Sequence, residues 1–398
     1  MRILFAALTM PFPPTNGHRL RTWALLRALA GDGHRLALVA FADPGELKHP
    51  PAPELSALCE SVDMLRTPDQ PEALGRLRAL ASSYPYGVFR FRSRAFANAV
   101  TRHLDRGHFD AVVCDGIYNV QNLPQRSQIP VLLNKDDVAT VILRRYLALE
   151  RNPARWLYGR IEAGKVRRWE RYACRYATAS LVCSDVDRAV LEALWPGGTM
   201  LVAPNVVDTD HYVPAGPGDP LTVLYQGGMD WYPNRDAVEF FAFRILPELR
   251  RRVPGLVFRV AGRSPSAAFR RRIEAIANVE FTGPPPDMRA EIAKASVCVV
   301  PLRIGSGTRL KIIEAGAMAK PIVSTRLGAE GLDFRDGEEI VLADEPVEFA
   351  TAVAALLADG GRRASLGLAA RRRVEKEHSY PIFQSSIREA LGQLVRTR

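Results

Sequence analysis

Long apolar runs are missing from this chain of 398 residues. No stretch approaches the roughly eighteen consecutive apolar residues of a bilayer-spanning helix, so no such helix is expected. Cysteine is scarce: Cys59, Cys114, Cys174, Cys183 and Cys298 are scattered, odd in number and without paired spacing. That argues against a disulfide framework or a zinc ribbon and for a reducing compartment, the cytoplasm. The seven histidines form neither H-x-x-x-H nor H-E-x-x-H, so no metal centre is supported. Internal repeats and low-complexity segments are absent apart from Pro284-Pro285-Pro286, a triplet expected to open a helix. Arg2 and the apolar residues after it superficially suggest a signal peptide. No A-x-A cleavage pattern follows, and a first buried strand is the expectation.

Negative charge is in deficit, with 54 Lys and Arg against 43 Asp and Glu and a formal net charge of +11. The excess concentrates between Arg144 and Arg175, where ten basic residues face three acidic ones, with Trp156, Tyr158, Trp169 and Tyr172 interleaved. Two readings stand: a long helix packed on the first sheet with solvated arginines, or a segment lying on the anionic inner face of the cytoplasmic membrane. The same charge would permit nucleic-acid binding, but no aromatic RNA motif, helix-turn-helix or GXXG loop supports it.

The length and a 47% hydrophobic content allow two full cores. Strand and helix signals alternate throughout, which implies α/β architecture with parallel sheets and right-handed crossovers. Strands are expected near Ile3–Leu8, Arg35–Phe41, Ala111–Asp115, Val131–Asn134 and Ala179–Cys183. A second series is expected near Thr222–Gln226, Val257–Ala261, Val279–Thr282, Val297–Val300 and Ile322–Ser324. The Pro- and Gly-rich stretch Val213–Pro220 suits a linker, giving domains 1–215 and 216–378, then a last segment, 379–398, without a partner in the second sheet.

The most informative stretch is Val297–Thr325, VCVVPLRIGSGTRLKIIEAGAMAKPIVST. Buried-strand runs flank a turn, Gly305-Ser306-Gly307-Thr308, and a helical pattern from Arg309 to Met318. Glycines let backbone approach a ligand closely, and the amides of a helix N-terminus favour an anion such as a diphosphate. Lys311 in the first turn opposes the macrodipole, so it is either a ligand contact or a solvated surface lysine. Glu314 lies one turn on, where a carboxylate can accept bonds from two vicinal ribose hydroxyls; the other reading is an amphipathic helix with Glu314 facing water.

This segment, read as PL-x-x-G-x-G-T-x-x-K-x-x-E-A-x-A-x-x-x-P, resembles the nucleotide-binding signature of the retaining family 4 glycosyltransferases. VLYQGGMDWYPNRDAVEFF, FRVAGRSPS and NVEFTGPPPDMRAEIAKASVCVVP follow that family's order, and MRILFAALTMPFPPTNGHRLRTWALLRALAGDGHRLALVAF and VAPNVVDTDHYVP are similar to its N-terminal half. The likeness covers the chain, strongly after Leu221 and loosely between Asp43 and Thr178. It implies the GT-B fold: two Rossmann-like, doubly wound domains facing a cleft, the first for the acceptor, the second for the nucleotide sugar, with the last segment a helix crossing back to the first domain. One departure stands out. Many members carry two glutamates with seven residues between them; Glu314 matches the second, while the first falls on Ser306.

In doubly wound sheets the chemistry comes from loops beyond the carboxyl ends of strands. After the first strand, Gly17 stands where the family places a glycine near donor and acceptor, with His18 and Arg19 as polar acceptor contacts; a helix start capped by Asn16 is the plain alternative. Asp115 and Tyr118, then Asp136 and Asp137, follow two further strands, and the aspartates either orient or deprotonate an acceptor hydroxyl or cap helices. The turn opening the second domain adds Gly228 and Arg235, and Arg263 follows a strand end; Asn234 and Asp236 are expected to cap the helix after the turn. Gly17, Gly228, Arg235 and Arg263, with Ser306, Gly307, Thr308, Arg309, Leu310, Lys311 and Glu314, form the donor set. Ser83–Arg94, with Tyr84, Tyr86, Phe89 and Phe91, either lines an acceptor groove or packs as core.

The resemblance implies transfer of a sugar from a nucleotide diphosphate sugar to a hydroxyl acceptor in a polysaccharide, a glycolipid or a metabolite, with retention. Amides near Arg309 and Leu310, helped by Lys311, would stabilise the departing diphosphate, with no metal or cofactor needed. Two other classes remain open: a nucleotide-sugar epimerase or hydrolase of the same fold, and a non-catalytic binder of nucleotide sugars or anionic lipid. An NAD enzyme is disfavoured, since no G-x-G-x-x-G follows the first strand.

Overall fold

A computed structural model describes residues 1–69, 72–263 and 266–396. The chain divides into two compact units, Met1–Pro204 with Phe383–Arg398, and Asn205–Ile382. The division thus falls before the Val213–Pro220 stretch expected as linker. Residues 205–212 belong to the second unit because Asn205, Thr209 and Tyr212 hydrogen-bond to Thr308, Arg371 and Glu314 there.

The first unit is built on seven parallel strands: β1 (Arg2–Ala7), β2 (Arg35–Ala42), β3 (Cys59–Arg66), β4 (Ala111–Asp115), β5 (Val131–Asn134), β6 (Ala179–Val182) and β7 (Met200–Val202). Their order is β3-β2-β1-β4-β5-β6-β7. β1, β2 and β4 are nearly continuous apolar runs because they are covered on both faces. β3, CESVDMLR, is half-exposed at the edge and lacks such a run, which is why its sequence does not announce it. Phe41 packs on Phe96 with ring centroids 4.4 Å apart.

The second unit has six: β8 (Asp219–Gln226), β9 (Val257–Ala261), β10 (Val279–Gly283), β11 (Ala295–Val300), β12 (Ile322–Ser324) and β13 (Val341–Leu342), in the order β10-β9-β8-β11-β12-β13. Phe241 stacks on Phe258 at 4.1 Å in its core. Pro284–Pro286 precede the helix Met288–Lys294 rather than open it; Asp287 is the N-cap, accepting from the Arg289 amide.

Each sheet has one switch point, where strand order reverses: between β1 and β4, and between β8 and β11. Loops leaving the carboxyl ends of those strands diverge to opposite faces and leave a crevice, the place where doubly wound sheets take ligands.

The last helix, Tyr380–Arg396, buries Phe383, Ile387, Ala390, Leu391 and Leu394 at spacings of three and four. From Phe383 on it belongs to the first unit, where Gln384 and Arg388 both donate to Asp32, at 2.9 and 2.6 Å. The basic stretch forms two helices, Ala139–Leu149 and Pro153–Tyr176, because Asn152 caps the second and Pro153 opens it. No helix among the described residues is long and apolar enough to cross a membrane.

Candidate functional site

At the β8/β11 switch point, two glycine turns and one helix start converge. β8 ends in Gln226 and turns at Gly227-Gly228; β11 leads through Gly305–Thr308 into the helix Leu310–Ala317, which no side chain caps. The turns are tight enough to demand glycine. At Gly262, after β9, φ is +143° and a Cβ would stand 2.0 Å from the Gly227 carbonyl oxygen. At Gly305 a Cβ would meet the Arg309 guanidinium at 2.7 Å. That guanidinium folds back onto the Ser306 and Gly307 carbonyl oxygens and closes the loop. Thr308 is buried and fixed by Asn205, whose Nδ2 donates to its Oγ1 at 2.8 Å.

Lys311 is not a solvated surface lysine. Its Nζ donates to the Tyr225 hydroxyl at 2.8 Å and to Asn234 Oδ1 at 3.0 Å, and a Cβ on Gly227 would lie 3.1 Å from it. Tyr225 in turn donates to Asn234 Oδ1 at 2.7 Å, and Asn234 Nδ2 donates to the Gly228 carbonyl at 2.8 Å. Both hydrogen-bond partners of the amine are neutral. Burial, and then Arg309, push its pKa down to about 7, with Glu314 opposing. Among the described residues no carboxylate bonds to this amine.

Glu314, one turn on, is buried rather than facing water. Its Oε1 accepts from the Tyr212 hydroxyl at 3.0 Å and its Oε2 from Gln226 Nε2 at 2.5 Å. Burial pushes its pKa up to about 7, against the Tyr212 bond and the charge of Lys311. Gln226 Oε1 is buried without a partner among the described residues. An acid and an unused amide oxygen beside a masked cation suit a ligand carrying hydroxyls and phosphate.

Other donor-set residues are spoken for differently. Arg263 pairs with Asp230 at 3.1 Å on the surface, and Arg235 reaches back to the Met229 carbonyl at 3.4 Å. Asn234 does not cap its helix, because it serves Lys311 and Tyr225; Asp236 pairs with Arg303 at 2.6 Å.

In the first unit the β1/β4 switch point holds His18 between two carboxylates. Nδ1 lies 2.9 Å from Asp136 Oδ2, and Nε2 lies 3.1 Å from Asp115 Oδ2. Gly17 opens the helix Gly17–Gly31, with Asn16 as its cap. Burial works against a charged imidazole, yet Asp115 and Asp136 outweigh it and hold the His18 pKa well above 6.5. Asp136 also feels burial, but His18 holds its carboxyl well below the usual range. Asp137 moves the other way, raised by burial and by the Asp136 charge.

Asp115 is wholly buried and further fixed by Asn134 Nδ2 at 2.8 Å and Thr22 Oγ1 at 3.0 Å. Arg21, also buried, donates from Nε to Asn134 Oδ1 at 3.0 Å. Behind Asp136 and Asp137, Lys135 meets Glu170 at 2.7 Å with both side chains buried. Glu170 also accepts from the Ala139 and Thr140 amides, so it, not an aspartate, caps the helix Ala139–Leu149.

Arg19 and Tyr118 do not join this cluster. Arg19 pairs with Glu46 at 2.8 Å. The Tyr118 ring lies nearly parallel to Phe91 at 6.5 Å and covers Gly87, whose Cβ would meet it at 2.5 Å. Of the four rings in Ser83–Arg94, Phe91 thus packs inward, while Tyr84 is exposed and meets Trp169 edge-on at 5.8 Å. Tyr212, Tyr225, Gln226, Asn205 and Arg21 escaped sequence reasoning. The only available signal was position: Tyr225 and Gln226 end β8 at the switch point.

Residues 220–359, which carry this lysine, glutamate and both glycine turns, match the family model "Glycosyl transferases group 1". The chain is 29% identical over 225 residues to the GDP-mannose-dependent alpha-(1-6)-phosphatidylinositol monomannoside mannosyltransferase of Mycolicibacterium smegmatis, across 50% of the chain and 56% of that relative. The match therefore spans little more than half the relative's length. Among solved structures, a sucrose-phosphate synthase from Thermosynechococcus elongatus has a TM-score of 0.75 at 19% identity, covering 100% of both chains. Anabaena HepE, solved with UDP and glucose, has a TM-score of 0.68 at 15% identity over 99% of this chain and 100% of that one. TarM gives 0.73 at 11% identity over 99% of each. At these identities the likeness establishes the fold, which is GT-B.

Proposed function

We propose that the protein transfers a sugar from a nucleotide diphosphate sugar to a hydroxyl acceptor, with retention at the anomeric carbon. The observation that carries this is the Lys311–Glu314 pair: an enclosed amine bonded only to neutral groups among the described residues, beside the Gly227 turn, and one helical turn on a buried carboxylate beside the Gln226 oxygen that has no partner there. A diphosphate would take the charge of Lys311 and the uncapped helix amides of Leu310 and Lys311. The ribose hydroxyls would donate to Glu314. Ser306 stands where relatives carry a first glutamate, so the sugar is left to Ser306 and Gly307.

In the reaction the bond from the anomeric carbon to the β-phosphate oxygen breaks and a bond to the acceptor oxygen forms on the same face. The acceptor proton goes to the departing phosphate oxygen. Negative charge grows on the diphosphate as the bond breaks, so the fixed amides and Lys311 contribute most in the transition state. The His18, Asp115 and Asp136 cluster serves the hydroxyl-bearing substrate, with charged and hydrogen-bonding groups of both signs. The Mycolicibacterium relative acts on a phosphatidylinositol mannoside, which favours a lipid-linked acceptor at a cytoplasmic membrane face.

The test is a thermal-shift and nucleotide-release panel across UDP-, GDP-, ADP- and TDP-sugars with and without candidate acceptors. A donor at about a hundred times its dissociation constant adds about 2.7 kcal/mol of stability. One nucleotide series should stabilise the wild type and lose its effect in Glu314→Ala, with nucleotide release dependent on acceptor. Release without acceptor would favour an epimerase or hydrolase, and binding without release a binding protein. No shift with any nucleotide sugar would remove the proposal's basis.

A further inference from the structure

The basic stretch is helical, and its neighbour changes what its exposed face means. In the helix Glu72–Leu80, Gly75 and Ala79 face inward while Leu74, Leu77 and Leu80 are exposed, Leu77 by 65%. That helix lies against Pro153–Tyr176: Lys165 Nζ donates to the Ala79 carbonyl at 2.5 Å, and the Arg76 guanidinium lies 5.9 Å from the Tyr158 ring centroid. On the second helix Trp156, Leu157 and Ile161 are exposed, Leu157 by 58%. The two helices together show six large apolar side chains to solvent, from elements that adjoin. Exposed apolar area rimmed by polar residues marks an interaction surface.

Along the second helix the rim has one sign. Both acids within the second helix, Glu162 and Glu170, are buried, and from Arg151 to Arg175 every exposed charged side chain is an arginine. Arg76 and Arg78 add two more on the neighbouring helix. Arg160 lies over the Trp156 ring at 5.4 Å, so a cation and an amphipathic ring stand at one level, as at a bilayer interface. A second copy of this chain fits poorly, because a twofold contact would set arginines against arginines.

We propose that this face docks the protein on an anionic bilayer, with the leucines, Ile161 and Trp156 entering the head-group boundary and the arginines meeting lipid phosphates. It rests on this surface alone and stands whether or not the donor reading does. The full chain should co-sediment with vesicles of phosphatidylcholine containing about a third phosphatidylglycerol at physiological salt, and not with phosphatidylcholine alone. Leu77→Glu/Leu157→Glu/Ile161→Glu should abolish sedimentation. Arg155→Ser/Arg160→Ser, two exposed replacements that leave the apolar face intact, should weaken it by about fivefold per cation removed. Both variants should keep the wild-type melting temperature and nucleotide response. Absence of wild-type sedimentation, equal binding to the neutral vesicles, or unchanged binding by both variants would overturn the proposal. So would a dimer in light scattering that the triple variant dissociates, since that assigns the face to a second copy.

Discussion

The amine of Lys311 donates to the hydroxyl of Tyr225 at 2.8 Å, joining the first turn of a helix to the end of the strand beside it. Both also bond to Asn234 Oδ1, so three side chains close one neutral ring around a group that is normally charged. A pKa of about 7 for the lysine follows from that enclosure.

Nucleotide binding should therefore be linked to protons. Above pH 7 a bound diphosphate restores the charge of Lys311, so binding takes up a proton. Below pH 7 a ribose bonded to Glu314 favours its carboxylate, so binding releases one. Calorimetry in two buffers of different ionisation enthalpy reads both. Lys311→Met should remove the uptake and Glu314→Gln the release.

Glu314 should also burden the unliganded fold. Its folded pKa of about 7 stands above the ordinary 4.5, so ionisation costs stability progressively from pH 4.5 and in full above 7. Glu314→Gln should raise the melting temperature at pH 8 by several degrees, with an upper bound on the order of 3 kcal/mol, and leave it nearly unchanged at pH 4.5. The Gln226 amide can flip to meet the new side chain, because its oxygen has no partner now. Equal stabilisation at both pH values would refute the burial argument.

His18 should add a second loss of stability with rising pH, at higher pH than Glu314. Its folded pKa is raised above 6.5, so its stabilisation is full below 6.5 and fades as pH rises through the folded value. The depressed pKa of Asp136 means its share fades as pH falls below the ordinary 3.8. The stability difference between wild type and His18→Gln, measured by urea unfolding, should be larger at pH 6 than at pH 10.

Gly262 should be nearly irreplaceable. Gly262→Ala forces a Cβ to 2.0 Å from the Gly227 oxygen, a clash of backbone with backbone that no rotamer relieves, in a left-handed conformation. Loss of several kcal/mol and of nucleotide response is expected, whereas Gly283→Ala, with open space around it, should cost only the strain of its φ of +72°, about 1–2 kcal/mol. Chemical denaturation of the two variants side by side makes the comparison.

Buried central strands were legible because parallel strands covered on both faces must be nearly apolar throughout: β4, β5 and β12 lie where the sequence places them. β3 and β13 were not, since edge strands need no such run. Glu314 and Lys311 were visible by spacing, but their surroundings were not. Asn234 reads locally as a helix cap, yet the partners of its side chain are Lys311, 77 residues away, Tyr225 and the Gly228 carbonyl.

The sequence by itself determined the α/β alternation, the glycine turns and the position of the helix that follows them, because those depend on neighbours within a few residues. Tertiary structure alone decided that Arg19 pairs with Glu46, that Tyr118 covers Gly87, and that His18 sits between Asp115 and Asp136. Each depends on which strands lie side by side at a switch point. Strand order is set by packing of whole faces, and chain-local chemistry carries no record of it.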